Sequence, residues 1–229
     1  MKTKSQPPIL AYIARKDPFL INLGILLACL IISDYTLPIM LTEFVAYDTE
    51  TTGLDAETDH IVEIGAVRFR DGQPAEAWST LVDPQRPIPA DSTAVHGITE
   101  AMIAGQPTIA PVLEDFAAFC GSTPMVAHNA RFDYKFVLAA IKHHKTRAPK
   151  GELIDSFSLA KRVISGLPNY RLSTLIRHFD IPSTQFHRAE EDAAYCGKVF
   201  QAIVSRLEAV GEPTDLASLL ELTGRKGLV

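Results

Sequence analysis

The segment that most constrains the fold is the run IVEIGAVRFR at Ile61–Arg70, which is followed directly by Asp71 and Gly72. Its β-branched and aromatic residues favour an extended strand, and the alternation toward its end predicts one buried face. Asp-Gly is a strong turn signal, and residues 75–82 then return as a strand. Together with a short apolar run at residues 44–48, these segments predict three antiparallel strands in a meander.

Helical and extended segments alternate in the rest of the chain. A polar turn at 49–55, a proline-rich loop at 83–89 and a loop at 95–99 separate the first elements. Short buried strands are predicted at 125–127 and 153–154. Helices are predicted at residues 99–104, 111–120, 132–141, 158–165, 172–179, 189–207 and 214–222. This order predicts an α/β domain with a mixed central sheet, three antiparallel strands followed by parallel additions, flanked by helices.

Length and charge narrow the class of protein. The 229 residues suffice for one domain of ordinary size. The net charge is −5, and the first 39 residues carry a basic surplus, so the remainder is more acidic than the whole. Proteins that bind nucleic acid by neutralising many phosphates are usually basic. The balance disfavours a high-affinity DNA-binding module, but it is compatible with an enzyme that uses bound cations. Cys29, Cys120 and Cys196 fit neither a disulfide framework nor a zinc site.

An apolar segment at residues 19–32 follows a basic flank and allows two interpretations. As a membrane anchor it would contact the bilayer, although it is shorter than the roughly 20 residues of a spanning helix. Alternatively, residues 1–39 are an upstream extension from a mis-assigned start, and Met40 begins the main domain. We favour the second interpretation and divide the chain into an extension, 1–39, and a main domain, 40–229. A cytoplasmic protein is expected, or a membrane-anchored one if the segment is functional.

Three separate segments carry the residues that point to chemistry: DTETTG at 48–53, HNARFD at 128–133 and HRAEED at 187–192. Residues two apart in a strand face the same side, so Asp48 and Glu50 can present paired carboxylates. Asp133 stands near the start of a predicted helix, and Asp192 lies one turn inside another. Adjacent carboxylates repel each other unless a cation lies between them, and oxygen ligands suit Mg²⁺ or Mn²⁺.

Each segment alone is weak, because surface acids, helix-start acids and lone histidines are common. Together they provide four acids that can hold a pair of divalent ions about 4 Å apart, the arrangement that hydrolyses phosphodiesters. Histidine is a common general base in enzymes, so His187 can take a proton from an attacking water.

The motifs YDTETTGL and HNARFD, and a histidine followed five positions later by aspartate, resemble those of the DnaQ-like superfamily of 3′→5′ exonucleases. The histidine places the resemblance in the DEDDh branch, and the loop VHGIT at 95–99 belongs to it. The resemblance covers roughly residues 44–204. It implies a ribonuclease H-like fold and two Mg²⁺ (or Mn²⁺) ions.

The resemblance also implies roles for individual residues. It assigns the metal ions to Asp48, Glu50, Asp133 and Asp192, and it assigns the general base to His187. It further implies that the terminal nucleotide contacts a set of polar and small residues. These are Thr51, Thr52, Gly53, Leu54, His96, His128 and Asn129.

The substrate within the superfamily stays open. The motifs are similar to those of the DNA polymerase III epsilon-subunit and exodeoxyribonuclease X group, and residues 215–225 are similar to the ending of the latter. We therefore expect a DNA-directed enzyme that trims single-stranded or mismatched 3′ ends in repair or proofreading, and an association with a DNA polymerase remains open. The alternatives are an exoribonuclease of the same superfamily and a non-catalytic nucleic-acid-binding module.

Overall fold

A computed structural model describes residues 40–183 and 187–224 of the protein. The strands are β1 (Glu43–Thr51), β2 (Ile61–Arg70), β3 (Gln73–Leu81), β4 (Met125–Ala127) and β5 (Leu153–Asp155). The helices are α1 (Ala90–His96), α2 (Glu100–Ile103), α3 (Ile109–Cys120), α4 (Arg131–His144), α5 (Ser156–Val163), α6 (Leu172–His178), α7 (Ala189–Ala209) and α8 (Leu216–Leu222).

The five strands form one mixed sheet in the order β3-β2-β1-β4-β5. β1, β2 and β3 pair antiparallel, which confirms the predicted meander, and the β2–β3 turn has positive φ at Asp71 and Gly72. β4 and β5 add in parallel, each followed by a helix. The prediction of a mixed sheet with parallel additions is therefore confirmed.

The structure corrects three local predictions. β1 continues to Thr51, so Glu50 lies on a strand and not in a turn, because it pairs with Glu63 of β2. β2 is buried on both faces up to Arg70 and not on one, since helices cover both sides of the sheet. His96 ends a short helix, α1, that the loop prediction for residues 95–99 missed.

Two apolar cores lie on opposite faces of the sheet. One joins β1 and β2 to α7 and includes Phe44, Phe69 and Phe200, with the Phe44 ring 4.9 Å from Phe69 and 4.8 Å from Phe200. The other joins the sheet to α3 and α4. Cys120 and Cys196 are buried as free thiols, one in each core, and Cys29 lies outside the described residues.

Helix α7 packs against β2 at two glycines. A Cβ at Gly65 would lie 2.2 Å from the backbone of Ala189, and one at Gly197 would lie 2.1 Å from the Phe69 ring. Real Cβ atoms do not approach other atoms so closely, so only glycine permits this packing. Gly65 pairs with Asp48 across the β1–β2 ladder. The first turn of α7 is thereby brought close to the carboxylates of β1.

The segment before Met40 lies outside the described residues, and so do the predictions for an apolar anchor at 19–32 and for an extension at 1–39. Within the ranges that are described, no helix combines the length and the apolar character needed to cross a membrane.

We predict that Gly65→Ala destabilises the protein by about 1–3 kcal/mol, because overpacking at this contact pushes α7 away from β2. The free energy of unfolding should be measured by urea denaturation. Ala77→Ser on the exposed face of β3 is the control and should change it by less than about 0.5 kcal/mol. Equal stability of the two variants would show that the contact is not tight.

Candidate metal centre

The end of β1 carries the first two carboxylates. Asp48 and Glu50 lie on one face of the strand because they are two residues apart. Both are partly exposed, whereas Thr49 between them is buried on the other face. The strand pairing is regular to Glu50 and shifts only between Glu50 and Thr51. Both acidic side chains are therefore held by the ladder and not by a mobile loop.

Asp133 reaches the same place from the first turn of α4 and is buried. Its Oδ1 accepts two hydrogen bonds from Thr49, one from the backbone N–H at 3.0 Å and one from the hydroxyl at 2.7 Å. One carboxylate oxygen is thus fixed to β1.

Asp192 lies in the first turn of α7 and is buried. Its Oδ2 accepts the backbone N–H of His187 at 2.9 Å, and its Oδ1 is buried with no hydrogen-bond partner in the described residues. His187 is exposed and has a φ of 66°, a left-handed conformation that is uncommon for a residue with a side chain. Ligand atoms of Glu50, His187 and Asp192 lie within 4.8 Å of one another.

Burial and mutual repulsion perturb all four acids. Burial, with repulsion from Asp133 and Glu50, raises the pKa of Asp48 well above its usual value. Burial and repulsion from Asp192 raise the pKa of Glu50 to about 8. Burial raises the pKa of Asp133 to about 7, although the hydrogen bonds from Thr49 oppose it. Burial also raises the pKa of Asp192. The cluster is therefore costly to ionise without a counter-charge.

These features fit divalent cations. The ligands are carboxylate oxygens, which hard cations prefer. An orphaned buried oxygen on Asp192 is a group that an ion would satisfy. A bound cation would also remove the repulsion that raises the carboxyl pKa values.

The segment predicted to line the terminal nucleotide borders the acids. Thr51 and Thr52 are buried, with the Thr51 hydroxyl donating to the Gly53 carbonyl at 2.6 Å. A Cβ at Gly53 would clash with Asp59 at 2.4 Å. Leu54 is 77% exposed and is the prominent apolar side chain of this segment. The three positions before Leu54 are therefore fixed, and Leu54 itself is presented to solvent.

His96 is buried, and burial lowers its pKa. Its Nδ1 accepts the backbone N–H of Ile98 at 3.0 Å. The ring lies beside the Thr51 backbone, and its Nε2 has no satisfactory hydrogen-bond partner in the part of the chain that is described. His187 also influences the pKa of His96, so the structure brings His96 to the predicted site.

His128 is engaged elsewhere. Its Nδ1 lies 2.9 Å from the Ser156 hydroxyl, and its Nε2 lies 2.9 Å from the Tyr170 carbonyl oxygen. Both ring nitrogens are therefore committed within the protein. Asn129 is exposed, with a φ of 63°, in the turn that leads into α4. Their roles in nucleotide binding stay predictions, and for His128 the contacts indicate a link between loops.

Sequence reasoning missed several buried polar residues around the acids. Glu63 of β2 is buried and accepts hydrogen bonds from the Arg188 side chain and the Ala189 backbone. Asp155, at the end of β5, accepts the Ala130 N–H at 3.1 Å and so holds the turn before α4. A signal for Glu63 was available, since it is the only acid in β2 and stands between the apolar residues Val62 and Ile64.

We predict that Thr49→Val weakens divalent-metal binding about tenfold, because Asp133 loses a hydroxyl donor that orients it and lowers its pKa. Mn²⁺ affinity should be measured by titration calorimetry at neutral pH. Thr49→Ser keeps the hydroxyl and should bind like the wild type. Equal affinity of the valine and serine variants would remove the hydroxyl from this role.

We predict that the metal-free protein loses stability as pH rises from about 5 to about 8. The folded state retains protons on Glu50 and Asp133 up to about pH 8 and 7, whereas the reference carboxyl values are 4.5 and 3.8. The folded state binds more protons in this window, so raising pH favours unfolding. Added Mn²⁺ should raise Tm more at the alkaline end, since metal ions compete with those protons.

Thermal melts with EDTA and with Mn²⁺ test this pH dependence. Glu50→Gln removes one titrating carboxyl and should flatten the metal-free profile. A metal-free Tm that is constant or rises across the window would contradict the prediction.

Comparison with known proteins gives the family. A family model described as an exonuclease of RNase T type matches residues 45–200. The chain is 38% identical over 164 residues to DNA polymerase III subunit epsilon of Treponema pallidum (strain Nichols), covering 71% of this chain and 76% of that protein. It is 36% identical over 169 residues to the PolC-type DNA polymerase III of Caldanaerobacter subterraneus subsp. tengcongensis, but covers only 12% of that protein.

Among solved structures, exonuclease X in complex with 5′ overhanging duplex DNA superimposes with a TM-score of 0.60 at 31% identity. The match covers 79% of this chain and 99% of that one. The fold is thus the predicted ribonuclease H-like one, and the family is one of divalent-metal-dependent nucleases. The chain belongs to the RNase T-type exonuclease family, within the DnaQ-like superfamily.

Proposed function

We propose that this protein is a 3′→5′ exonuclease that releases nucleoside monophosphates from DNA 3′ ends. The observation that carries the proposal is the meeting of four carboxylates and one exposed histidine at the end of β1. They come from three distant segments of the chain, which β1, α4 and α7 bring together. A fold that needed acids only for solubility would not bury Asp133 and Asp192 against other acids.

The proposed metal ligands are Asp48, Glu50, Asp133 and Asp192. Two divalent ions, Mg²⁺ or Mn²⁺, would supply the positive charge that stabilises the attacking and leaving oxygens at phosphorus. The unpartnered Oδ1 of Asp192 and the raised pKa values of the cluster support this assignment. The chain would otherwise have to tolerate concentrated negative charge at the site.

The proposed general base is His187. Its exposed ring takes a proton from the attacking water, which forms a bond to the phosphorus of the terminal phosphodiester. The bond from phosphorus to the 3′ oxygen of the preceding nucleotide breaks, and that oxygen is protonated by solvent. The hydrogen bond from the His187 N–H to Asp192 ties the base to one of the proposed ligands.

Neighbouring residues give the proposed contacts to the terminal nucleotide. Thr51 and Gly53 bring backbone close to the substrate, and Leu54 offers an exposed apolar surface to a base. The Leu54 carbonyl accepts a hydrogen bond from Lys135 at 2.5 Å, and the Lys135 ammonium lies 4.9 Å from the centre of the Phe132 ring. These contacts tie the Leu54 backbone to α4.

We propose that the substrate is DNA and not RNA, because the names of similar proteins and structures refer to DNA. They include the epsilon subunit of a DNA polymerase and exonuclease X bound to duplex DNA. Repair or proofreading of single-stranded or mismatched ends, and an association with a DNA polymerase, extend the same proposal. Cellular nucleic acid as the substrate favours a cytoplasmic location.

We predict that Asp48→Ala and Asp192→Ala reduce metal-dependent hydrolysis to the level of a protein-free blank, since each variant loses a proposed ligand. His187→Ala should lower kcat by about 100- to 10,000-fold, the usual contribution of a general base, while Mn²⁺ still binds. The measurement is stepwise shortening of a 5′-labelled single-stranded DNA with Mg²⁺ or Mn²⁺.

The matched control is His178→Ala, which removes an exposed histidine at the end of α6 and should leave the rate unchanged. Parallel reactions use duplex DNA with recessed or mismatched 3′ ends and a short RNA. Preferred degradation of the RNA would move the protein to the exoribonuclease alternative. An intact substrate with wild-type protein and either ion would refute the proposed activity.

A further inference from the structure

An ion pair between Glu63 and Arg188 lies next to the proposed catalytic residue His187. The Glu63 side chain is 3% exposed, and it accepts a hydrogen bond from Arg188 Nη2 at 2.6 Å and one from Nε at 3.2 Å. It also accepts the backbone N–H of Ala189 at 3.0 Å. The bidentate contact between the Arg188 guanidinium and the Glu63 carboxylate fixes the orientation of both planar groups.

Glu63 shares a face with the metal cluster but is not available to it. It pairs with Glu50 across the β1–β2 ladder, and residues directly opposite each other on neighbouring strands present side chains to the same face. Both carboxylate oxygens are occupied by donors from Arg188 and Ala189. Glu63 is therefore placed beside the proposed ligands, with its hydrogen-bonding capacity directed at the start of α7.

Among the described residues, the His187 side chain makes no hydrogen bond comparable to those of Glu63. The His187 φ of 66° is a left-handed conformation that is unfavourable for a residue with a Cβ, so neighbouring contacts must maintain it. Three contacts do so in sequence order: the His187 N–H to Asp192, the Arg188 side chain to Glu63 and the Ala189 N–H to Glu63. The His187 backbone is therefore held by Asp192 on one side and by Glu63 on the other.

We propose that Glu63, through Arg188 and Ala189, is a positioning residue that holds the His187 backbone in the conformation needed for catalysis. It touches neither substrate nor metal. The inference rests on the proposed function, because it assigns Glu63 a task in the step that His187 performs. It also makes a claim about the protein alone, namely that the His187–Ala189 backbone is rigid because of Glu63.

The test uses two variants. Glu63→Gln keeps the shape of the side chain but removes its charge. Arg188→Met removes the guanidinium from a side chain that is 32% exposed, so the variant should still fold. Both should lower kcat about 10- to 100-fold, with KM and Mn²⁺ affinity close to those of the wild type. Combining Glu63→Gln with His187→Ala should cost no more than His187→Ala alone, because the two residues act in one step.

The matched control is Glu43→Gln at the other end of the same strand pair. Glu43 accepts hydrogen bonds from Arg68 at 2.9 Å and from Arg70 at 3.2 Å, far along the ladder from Glu63. This variant loses an ion pair of β1 with β2 without affecting α7. It should retain wild-type kcat.

Amide hydrogen exchange measured by NMR supplies a readout that does not depend on nuclease activity. In Glu63→Gln, exchange at His187 and Ala189 should accelerate at least about tenfold, the factor that one charge-assisted hydrogen bond is worth, and it should be unchanged in Glu43→Gln. Unchanged exchange in both Glu63 and Arg188 variants overturns the inference, and so does a double variant whose losses multiply. If exchange accelerates but the wild-type protein hydrolyses no nucleic acid, the positioning claim stands and the proposed function fails.

Discussion

The architecture depends on how closely α7 approaches β2. Two positions without side chains, Gly65 and Gly197, let the helix lie against the strand at distances that no Cβ would permit. This contact brings Asp192 and His187 to the end of β1, where Asp48 and Glu50 already face the same side. The carboxylate cluster is thus a result of backbone packing in the core, and small changes in that packing would displace Asp192 and His187 from the other acids.

Assembling the cluster has an electrostatic cost, and the structure shows how it is offset. Burial and repulsion raise the pKa of each of the four acids. Against this, Thr49 donates twice to Asp133, and the His187 N–H donates to Asp192. A hydrogen bond to a charged group contributes only about 1.5–3 kcal/mol. These donors therefore offset part of the cost, and the pKa values of Asp133 and Asp192 stay raised. Divalent ions are the group that would complete the balance.

Sequence was sufficient for the elements and for the acids. The Asp71-Gly72 turn predicted the β2–β3 hairpin, and the segments DTETTG, HNARFD and HRAEED predicted acids that the structure brings to one region. The sequence did not predict the extent of β1 or the polar residues that hold the acids in place. The end of β1 was predicted as a turn because Asp48 and Glu50 are weak strand formers and Gly53 follows closely. Pairing with β2 overrode this local signal. Glu63 and Thr49 act through contacts 126 and 84 residues away along the chain, which no local pattern encodes.

The distance along the chain between β2 and α7 also determines when the site can exist. Glu63 and Ala189 are separated by 126 residues. Closing so long a loop has a higher entropic cost than forming the β1–β2–β3 meander, so we expect the contact to form after the meander. While α7 is undocked, Asp192 is absent from the neighbourhood of Asp48, Glu50 and Asp133, and the four-acid repulsion is absent. The docking of α7 is therefore the step that adds the fourth acid to the site, and cations present at that moment would favour the docked state over the undocked one. Divalent ions would then act as folding ligands of this protein, with their effect concentrated in a single late step.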